Sequence, residues 1–169
     1  MNSILQQLFM IPEISEWILS ISPDDDNETS LKSTKTAENA KLFQEIQKVF
    51  VHLLESKMQY YSPESLWKTI RLWGREINVR EQQDAFDFFT SVIDQIDEYL
   101  KSIKKEEIFH KQFGGIFCNQ MICMNGCQHR YEREEKFMAL NVAVKVESLE
   151  ESLNQFVKGE LLDGTNAVS

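Results

Sequence analysis

The sequence predicts an α+β chain, and three observations carry that prediction. Apolar residues recur every three or four positions over residues 38–57 and again over 85–103, the spacing of one helical face. After Phe109 that spacing gives way to IFCNQMIC, HRYEREEKF and MALNVAV, where alternation and β-branched or aromatic residues indicate strands. Between the first two of these, Asn125 and Gly126 are expected to make the tight turn of a small antiparallel unit.

Composition bounds what such a chain can do. A chain of 169 residues with 42% apolar content is long enough to bury a core and suits one globular domain or a large part of one. A formal net charge of −9 argues against nucleic acid, since phosphate binding needs a basic surface, and suits a basic protein partner. No apolar run approaches the ~20 residues needed to span a bilayer, and the N-terminus lacks the basic-then-apolar order of a signal peptide. The expectation is a soluble intracellular chain with no membrane partner, in the cytoplasm or shared between cytoplasm and nucleus. Cys118, Cys123 and Cys127 form a tight odd-numbered cluster, a poor disulfide framework, so reduced thiols or metal ligands are expected there.

Along the chain, MNSILQQLFM reads as a short helix with Ile4, Leu5, Leu8 and Phe9 inward, and Pro12 opens a second helix carrying Ile14, Trp17, Ile18 and Ile21. Residues 22–37 hold acids and hydroxyls with almost nothing apolar to anchor them and are expected to be a flexible loop. The run Asp24, Asp25, Asp26 is read as solvated, because it lacks the alternating spacing and turn glycine of a calcium loop. The helix over 38–57 presents Leu42, Phe43, Ile46, Val49, Phe50, Leu53 and Leu54, and His52 is taken as a boundary or surface residue of it. Ser62 is expected to cap a helix beginning at Pro63 and packed by Leu66, Trp67 and Ile70, with Gly74 as its end. In the last part, Ser148 and Glu151 make a capping box for a helix with Leu149, Leu153, Phe156 and Val157 on one side, ended by Gly159.

The stretch REQQDAFDFF, residues 80–89, stands in front of the longest helical pattern, whose stripe is Ala85, Phe89, Val92, Ile93, Ile96, Leu100 and Ile103. Gln82, Gln83, Asp84 and Asp87 therefore occupy the first turns of that helix, where free backbone N–H groups and the helix dipole favour carboxylates. Two readings follow. The set is a helix cap with solvated neighbours, or it is a rigid docking surface for an extended cationic peptide.

QQDAFDFF resembles the glutamine-aspartate box of the ubiquitin-specific proteases, usually QQDAxEF, with Asp87 where that family more often has Glu. Met1-Asn2-Ser3-Ile4-Leu5-Gln6-Gln7-Leu8 resembles the family's segment Cys-Tyr-Met-Asn-Ser-x-Leu-Gln-Gln-Leu, in which the cysteine is the nucleophile. By that alignment the nucleophile falls two residues before Met1. Residues 53–64, LLESKMQYYSPE, with the following Trp67, point to one branch of the family. Residues 122–132 resemble the first zinc knuckle of the family's fingers subdomain, so Cys123 and Cys127 are the implied metal ligands. Their Cys-x3-Cys spacing is one residue longer than usual, and the second cysteine pair lies beyond Ser169 in relatives. No cofactor is expected in this segment, and a structural zinc is expected in the full-length domain.

The resemblance implies an incomplete papain-like cysteine protease domain: a helical thumb over 1–108 and a partial β-rich fingers segment over 109–169. It implies a parent that hydrolyses the bond after the C-terminal glycine of ubiquitin, with a thiolate as nucleophile and a histidine as proton acceptor. Ubiquitin and ubiquitinated proteins are the implied partners. The catalytic residues are not among these 169, so the segment alone is expected to be inactive, and Gln83, Asp84 and Asp87 are the implied ubiquitin contacts. A non-catalytic ubiquitin-binding module is the alternative that shares this surface.

Overall fold

The computed structural model describes residues 1–22, 34–105, 108–124 and 129–162. It is an α+β chain of helices and two small two-stranded sheets, divided into two compact units, Met1–Gly115 and Ile116–Ser169.

In the first unit, α1 (Asn2–Phe9) buries Leu5 and Leu8, and α2 (Pro12–Ser20) buries Ile14 and Ile18, each pair one helical turn apart. Pro12 stands at the start of α2, where its missing N–H is one that no helical carbonyl would accept. The long helix α3 (Thr34–Glu55) is the hub and packs against α2, α4 (Glu64–Thr69) and α5 (Ala85–Ser102). Its inward stripe is Leu42, Phe43, Ile46, Val49 and Phe50, while Leu53 and Leu54 at its end are exposed. It starts at Thr34, so the last residues of the expected loop are helical; residues 23–33, with the acidic run at 24–26, lie outside the described residues.

Aromatic pairs tie these helices together. Phe9 meets Phe50 edge-on at 5.4 Å, and Phe43 meets Tyr99 at 5.3 Å; such pairs add roughly 0.5–1.5 kcal/mol beyond the area they bury. Gln47 Nε2 donates to the carbonyls of Ile18 and Ile21, both at 2.8 Å, and so satisfies two acceptors that the end of α2 leaves open.

Two expectations fail between α4 and α5. Ser62 makes no cap; Pro63 holds the N-cap position of α4 without a side-chain bond. Gly74 does not end that helix, which stops at Thr69. It lies instead in a hairpin of β1 (Arg71–Leu72) and β2 (Arg75–Glu76), with Leu72 opposite Arg75. The two turn residues, Trp73 and Gly74, have φ of 52° and 76°, the positive pair a type I′ turn requires. Glycine adopts this freely, whereas a left-handed Trp73 costs about 1–2 kcal/mol.

The hairpin is clamped by α5. Gln95 Nε2 donates to the carbonyl of Arg71 at 2.9 Å, its Oε1 accepts from the Arg71 N–H at 3.2 Å, and Ser91 Oγ donates to the same carbonyl at 2.9 Å. A side-chain amide thus takes the place of a neighbouring strand. The buried face of α5 is Phe88, Val92, Ile93, Ile96, Tyr99 and Leu100. It is turned from the predicted stripe at its start, since Phe88 is fully buried and Ala85 is exposed. Phe89 is half-buried and meets Phe113 of α6 (Ile108–Phe113) edge-on at 5.3 Å. That helix occupies residues where strand character was expected to begin. It is followed by Gly114, where any Cβ would collide with the His110 carbonyl.

The second unit carries β3 (Gly115–Ile122), all but its first residue, and β4 (Arg130–Phe137) as hydrogen-bonded neighbours. Phe117 stacks on Phe137 at 5.4 Å, Gln120 bonds Glu132 at 3.1 Å, and the Cys123 N–H bonds the His129 carbonyl at 3.0 Å. One number rises as the other falls, so the pair is antiparallel. The expected turn at Asn125–Gly126 lies outside the described residues. MALNVAV, residues 138–144, forms no strand and the β3–β4 sheet stays two-stranded among the described residues. The last helix, α7 (Leu149–Phe156), is capped as predicted: Ser148 Oγ accepts from the Glu151 N–H at 3.1 Å, while Glu151 Oε2 accepts from the Glu147 N–H at 3.3 Å.

Candidate functional site

The polar set in front of α5 is built by a short loop that folds on Asn78. Asn78 Oδ1 accepts from the Arg80 N–H at 3.1 Å, its Nδ2 donates to Glu81 Oε1 at 2.8 Å, and its carbonyl accepts from the Glu81 N–H at 3.1 Å. Gln83 Nε2 reaches the same carbonyl at 3.5 Å, a long contact that leaves the amide oxygen of Gln83 uncommitted. These bonds tie the loop to Asn78 just ahead of α5.

Asp84 is the N-cap. Its backbone is extended, and Oδ1 accepts from the Asp87 N–H at 2.9 Å. The residue is exposed, and a carboxylate has about four lone-pair sites. One oxygen can hold the helix while the other accepts from a ligand, so the cap reading and the docking reading are compatible. Asp87 follows in the first turn, half-buried, and Gln83 is half-buried beside the cap. The structure thus brings Gln83, Asp84 and Asp87 together at one helix end, where the dipole favours the negative charges. What it can do chemically is accept hydrogen bonds from N–H and guanidinium donors; no nucleophile is part of it.

The cysteines do not make a second site of comparable definition. Cys118 lies exposed in β3 as a free thiol. Cys123 is disulfide-bonded, a state in which its sulfur is not a thiolate ligand. Cys127 lies outside the described residues. Among the described residues no three His, Cys, Asp or Glu side chains are grouped to hold a metal ion. His52 stacks on Tyr61 with ring centres 4.2 Å apart. The Asp97–His110 pair, at 3.3 Å, links α5 to α6 and escaped the sequence reading; only the burial of an acid on a helical core face betrays it.

Known proteins match nearly the whole chain, this helix end included. A family model described as ubiquitin carboxyl-terminal hydrolase matches residues 1–156. Ubiquitin carboxyl-terminal hydrolase 24 of Mus musculus and that of Homo sapiens are each 51% identical over 168 residues, and ubiquitin carboxyl-terminal hydrolase 9X of Mus musculus is 40% identical over 202 aligned residues. The branch indicated by residues 53–64 is that of ubiquitin carboxyl-terminal hydrolase 24. Each match takes in 99% of this chain, which spans only 6% of the length of the first two relatives and 8% of the third. With the family model covering the α5 helix end and all of the helical unit, the chain belongs to the ubiquitin carboxyl-terminal hydrolase family.

Proposed function

We propose that this chain is the part of a cysteine-type deubiquitinase that receives the C-terminal tail of ubiquitin, through Gln83, Asp84 and Asp87. The observation that carries the reading is the Asp84 cap: one carboxylate oxygen bonds the Asp87 N–H, which fixes the other in place for an incoming donor. In the parent enzyme a thiolate and a histidine supplied outside these 169 residues hydrolyse the bond after ubiquitin's C-terminal glycine, and the tail contacts position that bond. The helical unit then corresponds to the thumb and the β3–β4 pair to the start of the fingers, where Cys127 and, with its disulfide opened, Cys123 supply half of a structural zinc site. Ubiquitin and ubiquitinated proteins are the partners, and the cytoplasm, with or without the nucleus, is the location.

The test is Asp84→Asn in the full-length parent. Asparagine caps a helix about as well as aspartate, so the fold is retained. The lost charge weakens hydrogen bonds worth about 1.5–3 kcal/mol each, and even ~1.4 kcal/mol lowers kcat/KM roughly ten-fold. A variant that melts many degrees lower assigns Asp84 to capping alone; one that melts and processes ubiquitin normally removes the residue from the tail site. The 169-residue chain itself should not be labelled by a ubiquitin C-terminal electrophile, and labelling at any of its three cysteines would show a nucleophile within it.

A further inference from the structure

A second feature of the helical unit is unused by the reading above. Between the β1–β2 hairpin, α3 and α5 lies a hollow of about 370 Å³, lined among others by Trp73, Glu38, Asp94, Glu98, Lys35 and Arg71. That volume is at the low end for ligand sites, of the size to admit one long side chain. Trp73 stands at its rim with 74% of its surface exposed, although it is the largest kind of apolar side chain and sits in a left-handed turn position that asparagine or glycine would fill without strain.

The charges in the hollow are not balanced. Lys35 Nζ is held by Glu98 at 2.8 Å, and Asn39 Nδ2 donates to the same carboxylate at 3.0 Å. Arg71 is turned to the carbonyls of Lys68 and Ile70 and, at 3.5 Å, to Glu76. Both cations are thereby occupied. Glu38 and Asp94 line the same hollow and enter no ion pair among the described residues.

We infer that this hollow docks an arginine side chain presented by an extended segment of a partner protein. The indole face takes the flat guanidinium by stacking and cation–π attraction, while Asp94 and Glu38 accept from its N–H fork. Arginine fits better than lysine because its planar, weakly hydrated group can stack and bond two carboxylates together. The inference uses none of Gln83, Asp84 or Asp87 and stands apart from the ubiquitin-tail reading.

Capped pentapeptides Ser-Gly-Arg-Gly-Ser and Ser-Gly-Gln-Gly-Ser, titrated into the 169-residue chain, test it by the indole N–H signal of Trp73 in NMR spectra. The arginine peptide should shift that signal saturably and the glutamine peptide should not. Trp73→Asn keeps a favoured residue in the turn and should preserve the hairpin, yet it should weaken binding roughly five-fold, read from backbone amides of α5. Asp94→Asn should weaken it about three-fold, and added salt should do the same. Equal shifts from both peptides, no shift from either, or undiminished binding by both variants would overturn the inference.

Discussion

The two units of this chain differ most in where their apolar side chains go. Every buried hydrophobic residue among those described, from Leu5 to Phe109, belongs to the unit Met1–Gly115. In Ile116–Ser169 the sole buried residue described is Ser152, whose hydroxyl donates to the Ala143 carbonyl. Val144 is 90% exposed and Val157 76%, and the apolar side of α7 is largely open. Each unit holds a helix with a side-chain cap, α5 at Asp84 and α7 at Ser148, so local signals of this kind are present in both. Only the first converts them into buried area, the main favourable term in folding. A rigid helix end such as that at Asp84 therefore rests on the unit able to hold it.

The comparison is broken most severely by cutting into the first core. Phe43→Ala removes a fully buried ring that packs on Tyr99 and should cost about 3–5 kcal/mol in urea unfolding. Phe117→Ala strikes the aromatic cluster of the second unit, with Phe137 and Phe156, but that ring is already partly solvated. Its effect should be near 1 kcal/mol and confined to hydrogen exchange of the β3 and β4 amides. A larger loss for Phe117→Ala than for Phe43→Ala would reverse the ranking of the units.

A smaller effect is expected at the hairpin clamp. Gln95→Ala leaves the N–H and carbonyl of Arg71 without their side-chain partners, a loss of roughly 1–3 kcal/mol if water cannot replace them. Faster exchange of the β1–β2 amides with α3 unchanged is the signature to look for; loss of the whole unit would mean that the hairpin belongs to the core.

Acid sharpens the same contrast. Burial pushes the Glu45 carboxyl up, but the bond from Lys48 at 2.7 Å, then that from Ser65, outweigh it and hold its pKa below the ordinary value. A carboxyl lowered on folding stabilises the fold fully above its ordinary pKa of 4.5 and loses that contribution as pH falls toward the lowered folded value. Thermal melts between pH 6 and 3, as rough limits, should therefore show a steeper loss for the natural chain than for Glu45→Gln. Parallel curves would remove Glu45 from the acid response.

Much of the helical unit was legible because its signals are redundant. Pro12, the stripe of α3 and the Asp84 cap each follow from rules that act within a few residues. The α5 stripe was misphased at its start because AFDFF offers apolar residues in several phases, and tertiary packing chose Phe88. The Trp73–Gly74 turn was missed because the dipeptide lacks the asparagine or aspartate that usually marks such a turn, and because Gln95, far along the chain, supplies the hairpin's partner. MALNVAV has strand composition but adds to neither described sheet, since strand composition alone does not fix pairing. Gln83, Asp84 and Asp87 were legible as a polar cluster at a helix start; that an Asp84 oxygen accepts from the Asp87 N–H and caps the helix came from the structure.

The central claim is that the tail of ubiquitin is read at this helix end, and it is tested most directly by following the chain's backbone amides as ubiquitin is added, with intact ubiquitin compared against ubiquitin lacking its C-terminal tail. Intact ubiquitin should shift the amides of residues 83–88, the truncated form should leave them in place, and Asp84→Asn should reduce the response while its spectrum elsewhere is unchanged. Equal shifts at residues 83–88 with and without the tail, or shifts from intact ubiquitin that avoid this segment altogether, would contradict the account.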